Sequence, residues 1–140
     1  MKRRSARTGG ASGGEPLPES IAPQLATLAR RPPTSGDWIY EIKFDGYRLM
    51  CRIDQGKAKL ITRGGHDWTA KMRTLATAID EMPVNNAWLD GEVVVLTDSG
   101  VPDFNALQNA FDRRSTAELT FFAFDMPFLN GRDLREVPLS

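Results

Sequence analysis

The chain has 140 residues, 41% of them hydrophobic and 26% charged, which is the size and composition of one globular domain rather than two. Its 18 Lys and Arg balance 18 Asp and Glu, so a uniformly basic nucleic-acid coat is excluded, and any contact with nucleic acid has to come from a local patch. A single cysteine, Cys51, and a single histidine, His66, exclude an internal disulfide and a Cys/His zinc cluster, and no apolar run approaches the roughly 20 residues of a membrane-spanning helix.

Residues 1–16 combine Lys2, Arg3, Arg4 and Arg7 with Gly9, Gly10, Gly13 and Gly14, and after Met1 contain no large apolar residue. Such a stretch cannot offset the entropy of ordering and reads as a flexible basic tail or linker, with the domain taken from residue 17 to 140. Pro18, Pro23, Pro32 and Pro33 then flank a short apolar surface segment, Ile21 to Leu28. From Trp38 to Lys43 the alternation of Trp38, Tyr40 and Ile42 with Ile39, Glu41 and Lys43 predicts a strand with one buried face that ends at Lys43. A second alternating run, Tyr47 to Ile53, turns at Asp54-Gln55-Gly56 and returns through Lys57 to Thr62 as a hairpin. Met72, Leu75, Ala76, Ile79 and Met82 recur at helical spacing, with Thr69 as the expected cap and Pro83 as the stop. Trp88 to Leu96 reads as a central apolar strand interrupted by Asp90-Gly91-Glu92, and a polar insertion in a buried strand needs a reason. Asp103 is placed to cap a short helix that presents Phe104, Leu107 and Phe111 on one side, and Leu119 to Phe124 is a further strand. Cys51, Trp38, Trp88 and Phe104 read as packing residues and His66 as a solvated loop residue.

The segment Glu41-Ile42-Lys43-Phe44-Asp45-Gly46-Tyr47-Arg48 gathers charges of both signs around a lysine and an Asp-Gly turn. A lysine is a nucleophile only as the neutral amine, yet its ordinary pKa is about 10.4, so burial or a nearby cation such as Arg48 or a divalent metal has to favour the neutral form. Attack of such an amine on the α-phosphorus of a nucleoside triphosphate gives a phosphoramidate, with metal and arginine neutralising the charge of the transition state. A plain hairpin with a surface Lys-Asp pair fits the octapeptide's spacing equally well.

Lys43-Phe44-Asp45-Gly46-Tyr47-Arg48 resembles the K-x-D-G-x-R nucleotidyltransferase motif of ATP-dependent DNA ligases and mRNA capping enzymes. Three further motifs follow in the family's order. Arg63-Gly64-Gly65 is similar to the second motif, with Gly64 where the family usually has Asn. Leu89-Asp90-Gly91-Glu92 is similar to the third, and Phe124-Asp125 with Asn130-Gly131 to the next, F-D-x-x-x-x-N-G. The wording around Trp38 to Gly46 and Asp103 to Gln108 resembles the ligase domain of bacterial ligase D, the end-joining enzyme, and the resemblance covers about residues 22 to 140.

The resemblance implies an α+β fold, a mainly antiparallel sheet with flanking helices, as a partial ATP-grasp-like nucleotidyltransferase domain. It implies that Lys43 is the adenylated nucleophile, that Glu41 holds the adenine, that Arg48 contacts ribose or phosphate, and that Arg63 lies near the ribose or the DNA 5′-phosphate. Glu92 would sit beside ribose and metal, and Phe124 would stack on the adenine ring. Asp45 and Glu92 are the implied ligands of a divalent Mg or Mn ion, Asp45 being equally a simple turn former. The implied cofactors are ATP and that metal. The implied partners are nicked or broken DNA, the remainder of a ligase domain and end-joining proteins, in the bacterial cytoplasm and without a membrane. Family members carry downstream an E-G-apolar-apolar-x-K motif and a K-x-K motif, which do not follow Asn130-Gly131 in these 140 residues. The chain is therefore expected to be the front part of an adenylation domain and weakly active or inactive alone. A capping or RNA-ligase-type nucleotidyltransferase and a non-catalytic nucleic-acid-binding fragment are the alternative readings.

Overall fold

The structure, a computed structural model, describes residues 13–138. Among the described residues, five strands form one antiparallel sheet in the order β2-β1-β3-β4-β5: β1 (Tyr47–Asp54), β2 (Lys57–Thr62), β3 (Ala87–Val94), β4 (Thr120–Leu129) and β5 (Arg132–Asp133). Helices α1 (Arg73–Asp80) and α2 (Phe104–Asp112) accompany the sheet, giving the α+β architecture expected, and none of the described helices is long and apolar enough to cross a membrane. Most of the segment read as a basic tail, residues 1–12, lies outside the described residues. Its end does not hang free, because the Glu15 N–H donates to the Gly131 carbonyl at 2.8 Å.

The period-2 pattern of the strands sorts their side chains onto two faces. On one face Leu49, Cys51 and Ile53 of β1 meet Leu60 of β2, Ala87, Leu89 and Val93 of β3, and Met72, Ala76, Ile79 and Leu107 from the helical segments. Each large aliphatic side chain buried there contributes about 1.5–3 kcal/mol. The Cys51 thiol is pushed up to about 12, by burial first and by Asp80 second, so it is a packing group rather than a thiolate. On the other face Met50, Trp88 and Phe128 make a smaller cluster that Leu17, Ile21 and Ile61 cover, and the Trp88 indole N–H donates to the Pro18 carbonyl at 2.9 Å. The start of the proline-rich stretch, Leu17 to Ile21, thus straps the part of this face that carries Trp88 and Phe128.

Two tight turns close the far end of the sheet. Gln55 and Gly56 have φ of 50° and 74°, and Asn130 and Gly131 have φ of 43° and 84°, the left-handed pairs that a two-residue hairpin loop requires. Both turns bond to the residues entering β3: Gly56 N–H donates to Asn85 O, and Asn86 N–H donates to Asn130 Oδ1. Asn130-Gly131 is therefore a hairpin turn remote from Lys43.

The outer edge of β2 is sealed. Ala58 N–H donates to Asp80 Oδ1 (2.7 Å), Leu60 N–H to Thr69 Oγ1 (2.9 Å) and Thr62 N–H to the His66 carbonyl (2.9 Å), which removes the exposed donors that invite edge pairing. Thr69 is thereby not the helix cap expected of it. It opens a 3₁₀ turn (Thr69–Lys71), and α1 starts after Met72 without a side-chain cap. Asp103 does cap α2, its Oδ1 accepting from Ala106 N–H at 2.9 Å. The Ala58 N–H first, then the Lys57 ammonium, hold the Asp80 carboxyl below its ordinary value. A carboxyl depressed in the fold binds fewer protons than in the unfolded chain, so its stabilisation is present above the ordinary value, about pH 4, and is lost as pH falls below it. Asp80→Asn should therefore lower the urea midpoint at pH 6, and the gap to wild type should close toward pH 3.

One expected element is absent. Trp38 to Lys43 form no strand, and Trp38, Ile39, Tyr40 and Ile42 are all exposed. A strand exists only where a neighbour takes its N–H and C=O groups, and among the described residues none pairs with this segment. Trp38 Nε1 and the Tyr40 hydroxyl instead donate to the carbonyls of Ser35 and Pro33. Trp38 is thus not a core residue, whereas Trp88 is buried and Phe104 packs against the core.

Candidate active site

The register of β1, β3 and β4 builds the site on the face away from the helices. Arg48 lies directly opposite Glu92, and Asp90 directly opposite Asp125. Asp90 is 2% exposed, at a point where the β3–β4 register shifts on both sides of it, and a carboxylate so buried needs a partner. Arg48 is that partner: its Nε and Nη2 grip Asp90 Oδ1 and Oδ2 at 2.6 and 2.7 Å, a bidentate pair. The same guanidinium donates to Gln24 O at 3.0 Å and lies 4.7 Å from the centroid of the Phe124 ring. The hydrogen bond to Asp90 raises the Arg48 pKa against the opposing effect of burial, with the charges of Asp90, Glu92 and Asp125 adding to it, so the cation is permanent.

Lys43 sits in the loop before β1 rather than at a strand end, and it is exposed rather than desolvated. The loop is pinned just after it. Phe44 stacks on Phe122 with centroids 4.3 Å apart and planes 9° from parallel, and Gly46 N–H donates to Glu92 Oε1 at 3.0 Å. Glycine is required at that contact, because a Cβ on residue 46 would lie 2.2 Å from the Val93 carbonyl oxygen. Gly91 is equally constrained, since its Cβ would lie 2.3 Å from the Phe122 carbonyl oxygen and 2.5 Å from the Phe121 ring. Gly91→Ala should prise β4 from β3 and cost about 3 kcal/mol, at the upper end of overpacking penalties, as a thermal melt would show.

Two clefts meet at this loop. The first, about 490 Å³, is lined by Glu41, Lys43, Arg48, Glu92 and Phe124, together with Phe44, Asp90 and Asp125, which lie inside the motifs without an assigned role, and with Gln24 and Leu25, which lie outside every motif. The second, about 460 Å³, has Arg63, Gly64, Tyr47 and Trp68 on its far side. Leu25, Lys43, Arg48 and Glu92 line both and form the wall between them. Six of the selected residues, Glu41, Lys43, Arg48, Arg63, Glu92 and Phe124, thus surround one divided cavity, with Arg63 reached only through the second half. Asp45 lines neither cleft. Gly64 causes no local irregularity: the left-handed residue is Gly65 (φ 84°), and its N–H donates to Thr62 O at 2.8 Å to close the turn. The signal for Asp90 was available as the polar interruption of β3, but its partner 42 residues away was not.

The donor set around a divalent metal is thin. No three His, Cys, Asp or Glu side chains gather among the described residues, and Asp90 is engaged by Arg48. Glu92 fits as a single carboxylate ligand: it lines both clefts, and its hydrogen bond to Gly46 uses Oε1 only. That suits an ion such as Mg, which keeps waters and shares substrate phosphates rather than sitting in an all-protein cage. Asp45 does not fit that role.

A family model described as the ATP dependent DNA ligase domain matches residues 22–140. The multifunctional non-homologous end joining protein LigD of Pseudomonas aeruginosa is 49% identical over 136 residues, which is 97% of this chain and 16% of the relative. The Mycobacterium tuberculosis LigD, a multifunctional non-homologous end joining DNA repair protein, is 38% identical over 83% of this chain and 15% of its own length. Among solved structures, the ligase domain of M. tuberculosis LigD superposes with a TM-score of 0.59 at 40% identity, covering 66% of this chain and 30% of that one, and a mycobacterial DNA ligase D complexed with ATP and MES matches equally. The chain thus spans less than a fifth of the curated LigD relatives. With the matching family model covering most of its length, the chain belongs to the ATP-dependent DNA ligase domain family.

Proposed function

We propose that this chain carries the nucleotide-binding and nucleophile-bearing part of a DNA-sealing enzyme that acts on nicked or broken DNA in the bacterial cytoplasm. The observation that carries the reading is the shared wall of Lys43, Arg48 and Glu92 between two adjoining clefts, which puts one amine within reach of two substrates. ATP occupies the first cleft, with Glu41 and the open face of Phe124 against the adenine. The Lys43 amine donates its electron pair to the α-phosphorus, an N–P bond forms, the bond to the bridging oxygen breaks and pyrophosphate leaves, while the amine proton passes to solvent. A DNA 5′-phosphate held by Arg63 in the second cleft then attacks the same phosphorus, a P–O bond forms, the N–P bond breaks, and the Lys43 nitrogen regains a proton from solvent as it leaves. Finally a 3′-hydroxyl attacks the activated 5′-phosphate and releases AMP. Arg48, fixed by Asp90, offers charge that needs no reorganisation as negative charge develops. A divalent ion at Glu92 would neutralise phosphate charge.

The test uses ATP labelled at the α-phosphate and the chain extended through the downstream E-G-apolar-apolar-x-K and K-x-K motifs. The label should first appear on protein and then move to the 5′ end of added nicked DNA. Label that stays on protein whatever DNA is added would overturn the DNA-directed part of the proposal.

A further inference from the structure

Past Tyr47 and Trp68 the second cleft adjoins a third, of about 520 Å³, which the chemistry above leaves unused. One wall is aromatic and stiff: Trp68 meets Tyr47 edge-on with centroids 6.0 Å apart and lies 5.2 Å from Phe111 at 53°. The other wall is the exposed stripe Asn105, Gln108, Asn109 and Asp112 of α2, at spacings i, i+3, i+4 and i+7 that place all four on one side of the helix. The charges at this cleft are Asp112 of α2 and the Lys71 ammonium, which stands 4.4 Å from the centroid of the Trp68 ring, whereas its neighbour holds Lys43, Arg48 and Arg63.

The division of chemistry follows that of a nucleotide. A phosphate belongs with the cations of the second cleft and is disfavoured beside Asp112. Carboxamides, each with paired donors and an acceptor, match the edges of nucleobases, and the aromatic wall offers a surface for a base ring. We propose that the third cleft binds the base of the DNA nucleotide whose 5′-phosphate enters the second cleft, so that Asn105, Gln108 and Asn109 position the strand end for the chemistry at Lys43. This rests on the function proposed above and adds a substrate-positioning site to it.

The experiment measures binding of a fluorescent nicked duplex to this chain by anisotropy at low salt, for wild type and for Asn105→Ala/Gln108→Ala/Asn109→Ala. The three positions are exposed and alanine favours the helix, so the variant retains the fold. Affinity should fall about tenfold, as expected for lost amide contacts to a base. An abasic analogue at the nucleotide bearing the 5′-phosphate should weaken wild-type binding by a similar factor and leave the variant's binding unchanged, because both changes remove the same contact. AMP labelling of Lys43 in the extended chain should be the same with and without the triple substitution. Equal affinity of variant and wild type, equal weakening on normal and abasic DNA, or no DNA binding by the wild type would each overturn the proposal. Base-dependent binding without any AMP label on Lys43 would instead uphold the cleft assignment and overturn the proposed reaction.

Discussion

Lys43→Ala abolishes the AMP label that α-labelled ATP leaves on the extended chain, as read by denaturing electrophoresis. Among the described lysines, Lys43 alone lines the two clefts. Lys57 pairs with Asp80, Lys59 lies 3.8 Å from Asp67, and Lys71 stands over the Trp68 ring. With the amine gone there is no nitrogen to form the phosphoramidate, so the loss is complete rather than graded. Lys43→Arg gives no label either, because a guanidinium stays protonated and is a poor nucleophile. The 140 residues without those two motifs should label at least about 100- to 1,000-fold more slowly than the extended chain, since that is the effect of losing even one electrostatic contact to the transition state. A label that survives Lys43→Ala would remove the nucleophile assignment, and equally fast labelling of the short chain would remove the role given to the downstream motifs.

Arg48→Met destabilises the fold by about 3–5 kcal/mol, the cost of breaking a buried ion pair from one side. Asp90 is left with 2% exposure and without its bidentate partner. Against a total stability of about 5–15 kcal/mol, such a loss brings a domain of this size close to unfolding. The double variant Arg48→Met/Asp90→Leu separates the two roles of the pair. It removes the stranded charge, so the urea midpoint should recover most of the loss, while AMP labelling in the extended chain should stay low because the fixed cation is absent. Recovery of labelling along with stability would show that Arg48 serves the fold alone.

The sequence by itself determined the elements whose causes are local. The hairpin at Gln55-Gly56 follows from a turn that tolerates left-handed φ, α2 from a capping Asp103 and an apolar stripe, and β3 from an apolar run of the right length. It also named Lys43, Arg63, Glu92 and Phe124 as a group, because their motifs keep order and spacing in the linear chain, and all four line the two adjoining clefts. The split of the expected Thr69–Met82 helix was less legible, since the Thr69 side chain is drawn to the Leu60 N–H of β2, a partner outside its own segment. Only the tertiary structure decided that Trp38 to Lys43 is no strand. Alternation is a property of the segment, but hydrogen-bonded pairing needs a neighbour that the alternation does not name. Only the register of β1 on β3 and of β3 on β4 brought Arg48 to Asp90 and Phe124, residues far apart in the chain. Local sequence states which face a residue can occupy, whereas which charge it meets there depends on how distant strands align, and at this site that alignment fixes the electrostatics.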